Sequence, residues 1–179
     1  MIRGFRTVVL CFFISALQIS FSMAQGKPVP VPPAPIPPQI LAAKKVFIAN
    51  AGGDEMATNE PRFSGTSDRA YSEFYAAVKS WGRFEIVASP AEADLLLEVR
   101  QSVSEGGGGG GAGGFSLTPL FYLTIRDAKS NALLWGFCVH SAFGLGQGES
   151  DRNFEQAIYR LTADLRTLVK PPVGNGSAP

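Results

Sequence analysis

The sequence has few of the residues from which catalytic and metal sites are built. Among its 179 residues are one histidine and two cysteines, and only Cys138 lies beyond the first 24 residues. A lone cysteine excludes an intramolecular disulfide, although it leaves pairing between two chains open. One histidine and one cysteine cannot complete a structural zinc site without carboxylates or a second chain. We therefore expect no metal, no cofactor and no catalytic residue, and a fold stabilised by an apolar core.

Neither sign of charge dominates the sequence. It contains 16 lysines and arginines against 15 aspartates and glutamates, its formal net charge is +1, and both signs are scattered along the chain. Such a balance produces no broad field that would attract nucleic acid or anionic lipid. We therefore predict that nucleic acid is not a partner.

Long hydrophobic runs are also scarce. The apolar run at residues 8–19 is too short to span a bilayer comfortably, and no second long run follows it. Arg3 and Arg6 precede this run, and the small residues Ser22 and Ala24 follow it at the minus-three and minus-one positions of a cleavage after Ala24, which is the three-part layout of a secretory signal peptide. We predict a signal peptide at residues 1–24 and an exported protein, periplasmic or secreted, without a transmembrane helix in the mature chain.

Proline is concentrated in one segment, with seven prolines between residues 28 and 38. Proline fixes its own backbone and disfavours helix in the residue before it. We therefore predict a proline-rich disordered linker at residues 25–40, a polyproline II spacer about 35 Å long at about 3.1 Å per residue. The tail at residues 171–179 is also expected to be disordered. A single domain then occupies residues 41–170, which is long enough for one core.

Hydrophobic periodicity within residues 41–170 predicts seven main elements. Apolar residues spaced at i, i+3, i+4 and i+7 predict a helix at residues 68–81 that Gly82 ends. A second apolar stripe predicts a closing helix of about five turns that starts near residue 150. Segments rich in β-branched and aromatic residues, or alternating between apolar and polar, predict five strands. These strands are residues 44–50, 83–89, 95–103, 121–126 and 133–143.

The predicted element order is β-α-β-β-β-β-α. A strand-helix-strand start favours a right-handed crossover, so the first two strands should be parallel. The remaining strands should form an antiparallel meander, and both helices should cover the more apolar face of the sheet. The sequence therefore predicts an α+β fold, a two-layer sandwich with a five-stranded mixed sheet and both helices on one face.

A glycine run fills eight of the nine positions from 106 to 114. A phosphate-binding loop needs a helix after the glycines, and often a lysine followed by serine or threonine. Neither follows here, so we interpret residues 106–114 as a flexible glycine loop that joins two strands of a hairpin. The alternative is that this loop, with Phe115 and Leu117, inserts at a membrane or partner surface.

The third and fourth predicted strands share a polar, partly aromatic face. It contains Glu98 and Arg100 on one strand and Tyr122, Thr124 and Arg126 on the next. This face is our candidate partner surface, and its tyrosine with two arginines resembles the stacking platforms of single-strand binders. Export and the lack of a wider basic surface argue against nucleic acid. Charge pairing between the two strands on the solvent side would explain the same residues without any ligand.

Cys138 and His140 are two residues apart on the fifth predicted strand. They face the same side roughly 6 to 7 Å apart, too far for a direct hydrogen bond. We therefore interpret them as a packed cysteine beside a half-buried histidine. His140 also remains the candidate ligand site of an alternative function, in which the loop at residues 51–66 and His140 bind a small ligand or form an enzyme site.

Four blocks of the sequence resemble uncharacterised exported proteins of Gram-negative soil bacteria. The chain is also similar, more weakly, to small α+β domains of the bacterial envelope, such as the amino-terminal domain of the Tol system's propeller protein and auxiliary lipoproteins of transport systems. The resemblance implies a non-enzymatic envelope domain with no assigned activity. We expect it to bind another envelope component, and its oligomeric state is left open. The four blocks are residues 44–52, 74–99, 125–137 and 151–165.

Overall fold

The structure is a computed structural model that describes residues 34–54, 62–107 and 115–170. Contacts divide the chain between Ala34 and Pro35, and all the elements below belong to the second unit. The predicted signal peptide, most of the predicted linker and the predicted tail lie outside the described residues.

The described residues follow the predicted order of elements, with one additional short helix at the start. Three helices, five strands and a 3-10 turn succeed one another along these ranges. They are α1 (Pro38–Ala42), β1 (Lys45–Gly53), α2 (Arg69–Trp81), β2 (Glu85–Ile86), the 3-10 turn (Pro90–Glu92), β3 (Leu95–Gly107), β4 (Phe115–Asp127), β5 (Leu133–His140) and α3 (Gln147–Leu168).

The five strands form one mixed sheet in the order β2-β1-β3-β4-β5. β1 is parallel to β2, as the predicted crossover requires, and it is also parallel to β3 on its other side. β4 is antiparallel to both of its neighbours, β3 and β5, which confirms the predicted meander. The α+β two-layer fold is therefore confirmed.

The core lies between one face of the sheet and the helices α2 and α3. Alternating residues of the strands point into it because successive side chains of a strand face opposite sides. Each large apolar side chain that is fully buried contributes about 1.5–3 kcal/mol. The core includes Val46 and Ile48 of β1, Leu95, Leu97 and Val99 of β3, Phe121, Leu123 and Ile125 of β4, and Phe74, Val78, Phe154, Leu161 and Leu165 of the helices.

The short helix α1 corrects the predicted end of the linker. Pro38 and Gln39 were expected to continue a polyproline spacer, but they begin the helix instead, since proline is tolerated in a first helical turn. Ile40 in this helix is 0% exposed and belongs to the core. The Arg83 side chain donates to the carbonyl of Ala43 at 3.3 Å. The structured part therefore starts before residue 41.

The β3–β4 hairpin is longer than predicted. Gly106 is paired with Ser116 and Gly107 with Phe115, so the first two glycines of the run belong to β3 and not to the loop. Backbone pairing with the opposite strand extends the ladder here in spite of the low strand preference of glycine. The rest of the run, residues 108–114, lies outside the described residues.

The end of α2 and the start of the 3-10 turn each have a capping residue of a favoured type. Gly82 ends α2 with a positive φ of 68°, in the left-handed region that glycine adopts without strain. The Ser89 hydroxyl accepts a hydrogen bond from the amide of Ala91 at 3.3 Å at the start of the 3-10 turn. The end of α2 at Gly82 was predicted from residue type alone.

We expect Gly82→Ala and Gly148→Ala to change stability in opposite directions. At Gly82 a Cβ meets no neighbour, but the left-handed backbone should cost about 1 kcal/mol of unfolding free energy. At Gly148, in the first turn of α3, a Cβ also has open space and φ is not positive, so alanine should add up to about 0.5 kcal/mol. Urea unfolding of both variants measures the difference, and equal effects would contradict the assigned backbone geometry.

Candidate functional site

The face of the sheet opposite α2 and α3 is the candidate partner surface predicted from the sequence. We call it the open face. Residues that are paired across neighbouring strands lie side by side on this face. Arg100, Tyr122 and Cys138 form one such set, and Glu98 and Thr124 form another. These side chains share a side because directly paired residues of neighbouring strands point the same way.

The open face is concave near its centre. Its hollow has a volume of ≈ 520 Å³, which lies within the range of small-molecule and peptide sites. The residues that line it are Ala51 and Gly53 of β1, Glu98, Arg100 and Ser102 of β3, and Tyr122, Thr124 and Arg126 of β4. The structure thus brings all four predicted surface residues, Glu98, Arg100, Tyr122 and Arg126, into one hollow.

The charges of the open face are paired. Arg126 Nε donates to Glu98 Oε2 at 2.9 Å, and both side chains are about one-third exposed. Arg100 Nη2 donates to Asp54 Oδ1 at 2.8 Å, and the Ser102 hydroxyl also donates to Asp54. The hydrogen bond from Ser102, followed by that from Arg100, lowers the pKa of the Asp54 carboxyl. Such exposed pairs contribute little to stability, so they leave the surface available for exchange with a partner's charges.

Tyr122 provides the aromatic part of the hollow. Partial burial, and after it the neighbouring Cys138, raises the pKa of the Tyr122 phenol above its usual value. The phenol is therefore uncharged at neutral pH and can both donate and accept a hydrogen bond. A ring with one polar group is the side-chain type that protein interfaces favour.

The structure corrects the expectation of a packed cysteine beside a half-buried histidine. Cys138 is a free thiol, and both Cys138 and His140 are exposed. The physical reason is their place on β5, the last strand of the sheet, where Cys138 lies on the open face beside Tyr122 and His140 is the final residue of the strand. A packed environment for Cys138 would require another segment to cover the open face.

His140 lines a separate hollow of ≈ 300 Å³ with Ser141, Asn153 and Arg160 among others. Several polar groups there are already bonded within the chain. Asn153 Nδ2 donates to the carbonyl of Ala142 at 3.0 Å, and the Ser141 hydroxyl donates to the carbonyl of Asn153 at 3.1 Å. The polar groups of Ser141 and Asn153 are therefore bonded within the chain.

The loop at residues 51–66 does not join His140 in the described part of the chain. Asp54 at one end of the loop belongs to the open face, through Arg100 and Ser102. Ser64 at the other end donates its amide to Asp151 of α3 at 2.8 Å. Residues 55–61 lie outside the described residues.

A cluster around Arg69 was missed by the sequence analysis. Arg69 donates to Glu73 at 2.6 Å, to Asp151 at 2.5 Å and to the carbonyl of Ser64 at 3.0 Å. Its guanidinium carbon also lies 4.3 Å from the ring centroid of Phe154. Spacing on one helix could have suggested the bond to Glu73, but no local signal connects Arg69 with Asp151, 82 residues away.

The Arg69 cluster stabilises the fold and has the wrong electrostatics for acid catalysis. A general acid needs a carboxyl whose pKa is raised toward neutrality. The amide of Ser64, with Arg69 as a further cause, lowers the pKa of Asp151. The carboxylate therefore stays ionised and holds the loop, α2 and α3 together.

Within the described ranges, no group of three or more histidine, cysteine or acidic side chains is arranged to hold a metal ion. None of the described helices has the length and apolar character needed to cross a bilayer.

No family model matches the chain, and no curated protein matches it. Solved structures of partly similar arrangement include a DUF330 protein from Xanthomonas campestris, with 14% identity, 70% of this chain and 84% of that chain covered, and a TM-score of 0.47. A DUF4136 family protein from Bacteroides thetaiotaomicron has 9% identity, 74% and 91% coverage, and a TM-score of 0.47. A PelC dodecamer from Paraburkholderia phytofirmans has 14% identity, 68% and 86% coverage, and a TM-score of 0.41. At these values the likeness carries no argument about function, and the resemblance to exported proteins of soil bacteria stays a prediction.

We expect Asp151→Asn to lower the free energy of unfolding at neutral pH. The free energy of unfolding of the variant should also fall less steeply as the pH is lowered. The pKa of Asp151 in the folded chain lies below its ordinary value of 3.8, so its contribution is present above about pH 4 and is lost as the pH falls through the folded-state pKa. The substitution should cost about 1 kcal/mol at pH 7. Urea unfolding between pH 7 and pH 2 measures both effects.

Asp164→Asn is the matched control, because it removes an exposed carboxylate from the same helix. It should leave the stability at neutral pH within about 0.5 kcal/mol of the original. If the Asp151→Asn and Asp164→Asn variants lost stability in parallel over the whole pH range, the assigned role of Asp151 would be wrong.

Proposed function

We propose that this protein is an exported, non-enzymatic domain of the cell envelope that binds another envelope protein through its open face. The observation that carries the proposal is the ≈ 520 Å³ hollow on a sheet face opposite both long helices, lined by Tyr122 and paired charges. The predicted signal peptide at residues 1–24 and the proline-rich segment before α1 support export and tethering.

A protein partner fits the open face better than nucleic acid does. Arg100 and Arg126 are matched by Asp54 and Glu98 within hydrogen-bonding distance. Phosphate binding draws its affinity from basic groups that release counterions, and two carboxylates in the same hollow would oppose it. A protein surface can offer its own acidic and basic groups to both kinds of charge, and it can cover the Tyr122 ring.

Photo-crosslinking in intact cells tests the proposed surface. A photoreactive residue at Thr124, inside the hollow, should crosslink to one envelope protein, whereas the same residue at the exposed Ser80 on α2 should not. Tyr122→Ala should weaken the Thr124 crosslink by about tenfold or more if the ring is a central contact.

Tyr159→Ala is the matched control, because it removes an exposed tyrosine of α3 and should leave the crosslink unchanged. Equal crosslinking from Thr124 and Ser80, or none from Thr124 at native abundance, would contradict the proposal.

The alternative function, a small-ligand site or enzyme at His140, receives less support from the bonded groups around it. We expect His140→Ala to keep the stability within about 0.5 kcal/mol and to keep the Thr124 crosslink. Thermal unfolding against a panel of small metabolites provides the measurement. A compound that stabilises the original protein and not the His140→Ala variant would favour the alternative.

A further inference from the structure

In the part of the chain that the structure describes, no strand pairs with the outer edge of β5. β5 is the last strand of the sheet and pairs with β4 alone among the described strands. One side of an edge strand presents N–H and C=O groups that can pair with another strand. After an irregularity near Leu134, the register is regular from Trp135 to His140, a stretch of about 20 Å at ~3.3 Å per residue.

This edge lacks the features by which proteins usually block pairing. β5 has no proline and no charged residue, and no lysine, arginine, aspartate or glutamate occurs between Lys129 and Glu149. Exposed edges are commonly protected by such charges, by proline or by short length. Leu133 at the start of the strand is 62% exposed, so pairing would also cover apolar surface.

The opposite edge of the sheet is protected. β2 has two residues, one of them the exposed Glu85. Beyond β2, the pairing of β1 with β3 is irregular between Asn50 and Gly53, where the Asn50 side chain accepts a hydrogen bond from the amide of Gly52. Irregular pairing of this kind ends or twists an edge. An edge-to-edge contact between two copies would therefore use β5 on both sides.

Gly136 lies within the regular stretch, next to Trp135 at its start. A glycine inside a strand weakens it and often marks a close approach of another backbone. Its backbone does not require glycine, since φ is not positive and a Cβ would meet its nearest neighbour, the carbonyl oxygen of Leu123, at an ordinary 3.9 Å. Gly136 and its exposed neighbour Cys138 both face away from the helices.

We propose that β5 pairs antiparallel with β5 of a second copy of this chain, across a two-fold axis. The same edge then serves both partners, which is the self-complementary contact of a symmetric dimer. The two sheets become continuous, and the open faces of both copies form one surface. Each Cys138 lies close to the other strand on this joint surface.

The mass of the purified full chain, as the cell processes it, tests the proposal. Analytical ultracentrifugation over a concentration series should show a reversible dimer. Gly136→Lys and Cys138→Lys each bring two like charges together across the two-fold axis, so each should raise the dissociation constant by about tenfold or more. Ser80→Lys, which adds the same charge on α2, should leave it unchanged.

A second measurement does not depend on how the two lysine variants of β5 fold. A bismaleimide with a flexible spacer should link the two Cys138 thiols of the original dimer, and Cys138→Ser should abolish the link. A monomer at every concentration, a dimer without the Cys138 link, or well-folded lysine variants with unchanged dissociation constants would each overturn the proposal. These measurements use the purified chain alone, so they are independent of the outcome of the crosslinking in cells.

Discussion

The ring of Phe154 is the contact on which the arrangement of this domain depends. It is 1% exposed, and its centroid lies 4.9 Å from that of Phe121 on β4 and 5.2 Å from that of Phe63 in the loop before α2. The Arg69 guanidinium of α2 covers the ring at 4.3 Å. One side chain of α3 thus meets the sheet, the loop and the other long helix. Because these contacts converge, both long helices are held on the same face of the sheet.

Holding both helices on one face has a consequence for the other face. A sheet with one solvated face needs polar side chains there, and the chain supplies them in pairs, Glu98 with Arg126 and Asp54 with Arg100. Pairing lowers the cost of placing charges beside Tyr122 and the sheet backbone. The same one-sided architecture leaves Cys138 of β5 exposed. The hollow and the edge therefore both result from the way the core is built.

Much of this fold could be predicted because local patterns determine it. Alternation in β3 and β4 identifies their buried and open sides, and Gly82 identifies the end of α2 by the backbone it permits. The four open-face residues come together because they lie on the polar side of two strands that pair in one hairpin. Contacts between distant segments could not be predicted in this way. Arg69 meets Asp151 only after the sheet has brought α2 beside α3, and Ile40 reaches the core from a segment whose prolines favour extended chain.

The β3–β4 hairpin extends beyond the part of the sheet in which β1 and β5 are paired. β1 is last paired with β3 at Gln101, and β5 is last paired with β4 at Leu120. Among the described strands, only β3 and β4 continue beyond these residues, up to the pair of Gly107 with Phe115, although the amide of Ser141 still donates to the carbonyl of Pro119 at 2.9 Å. Two strands without further neighbours are only marginally stable, and glycine weakens them further by its entropy in the unfolded chain. This arm therefore contributes little to the stability of the domain, and its length is not required by the core.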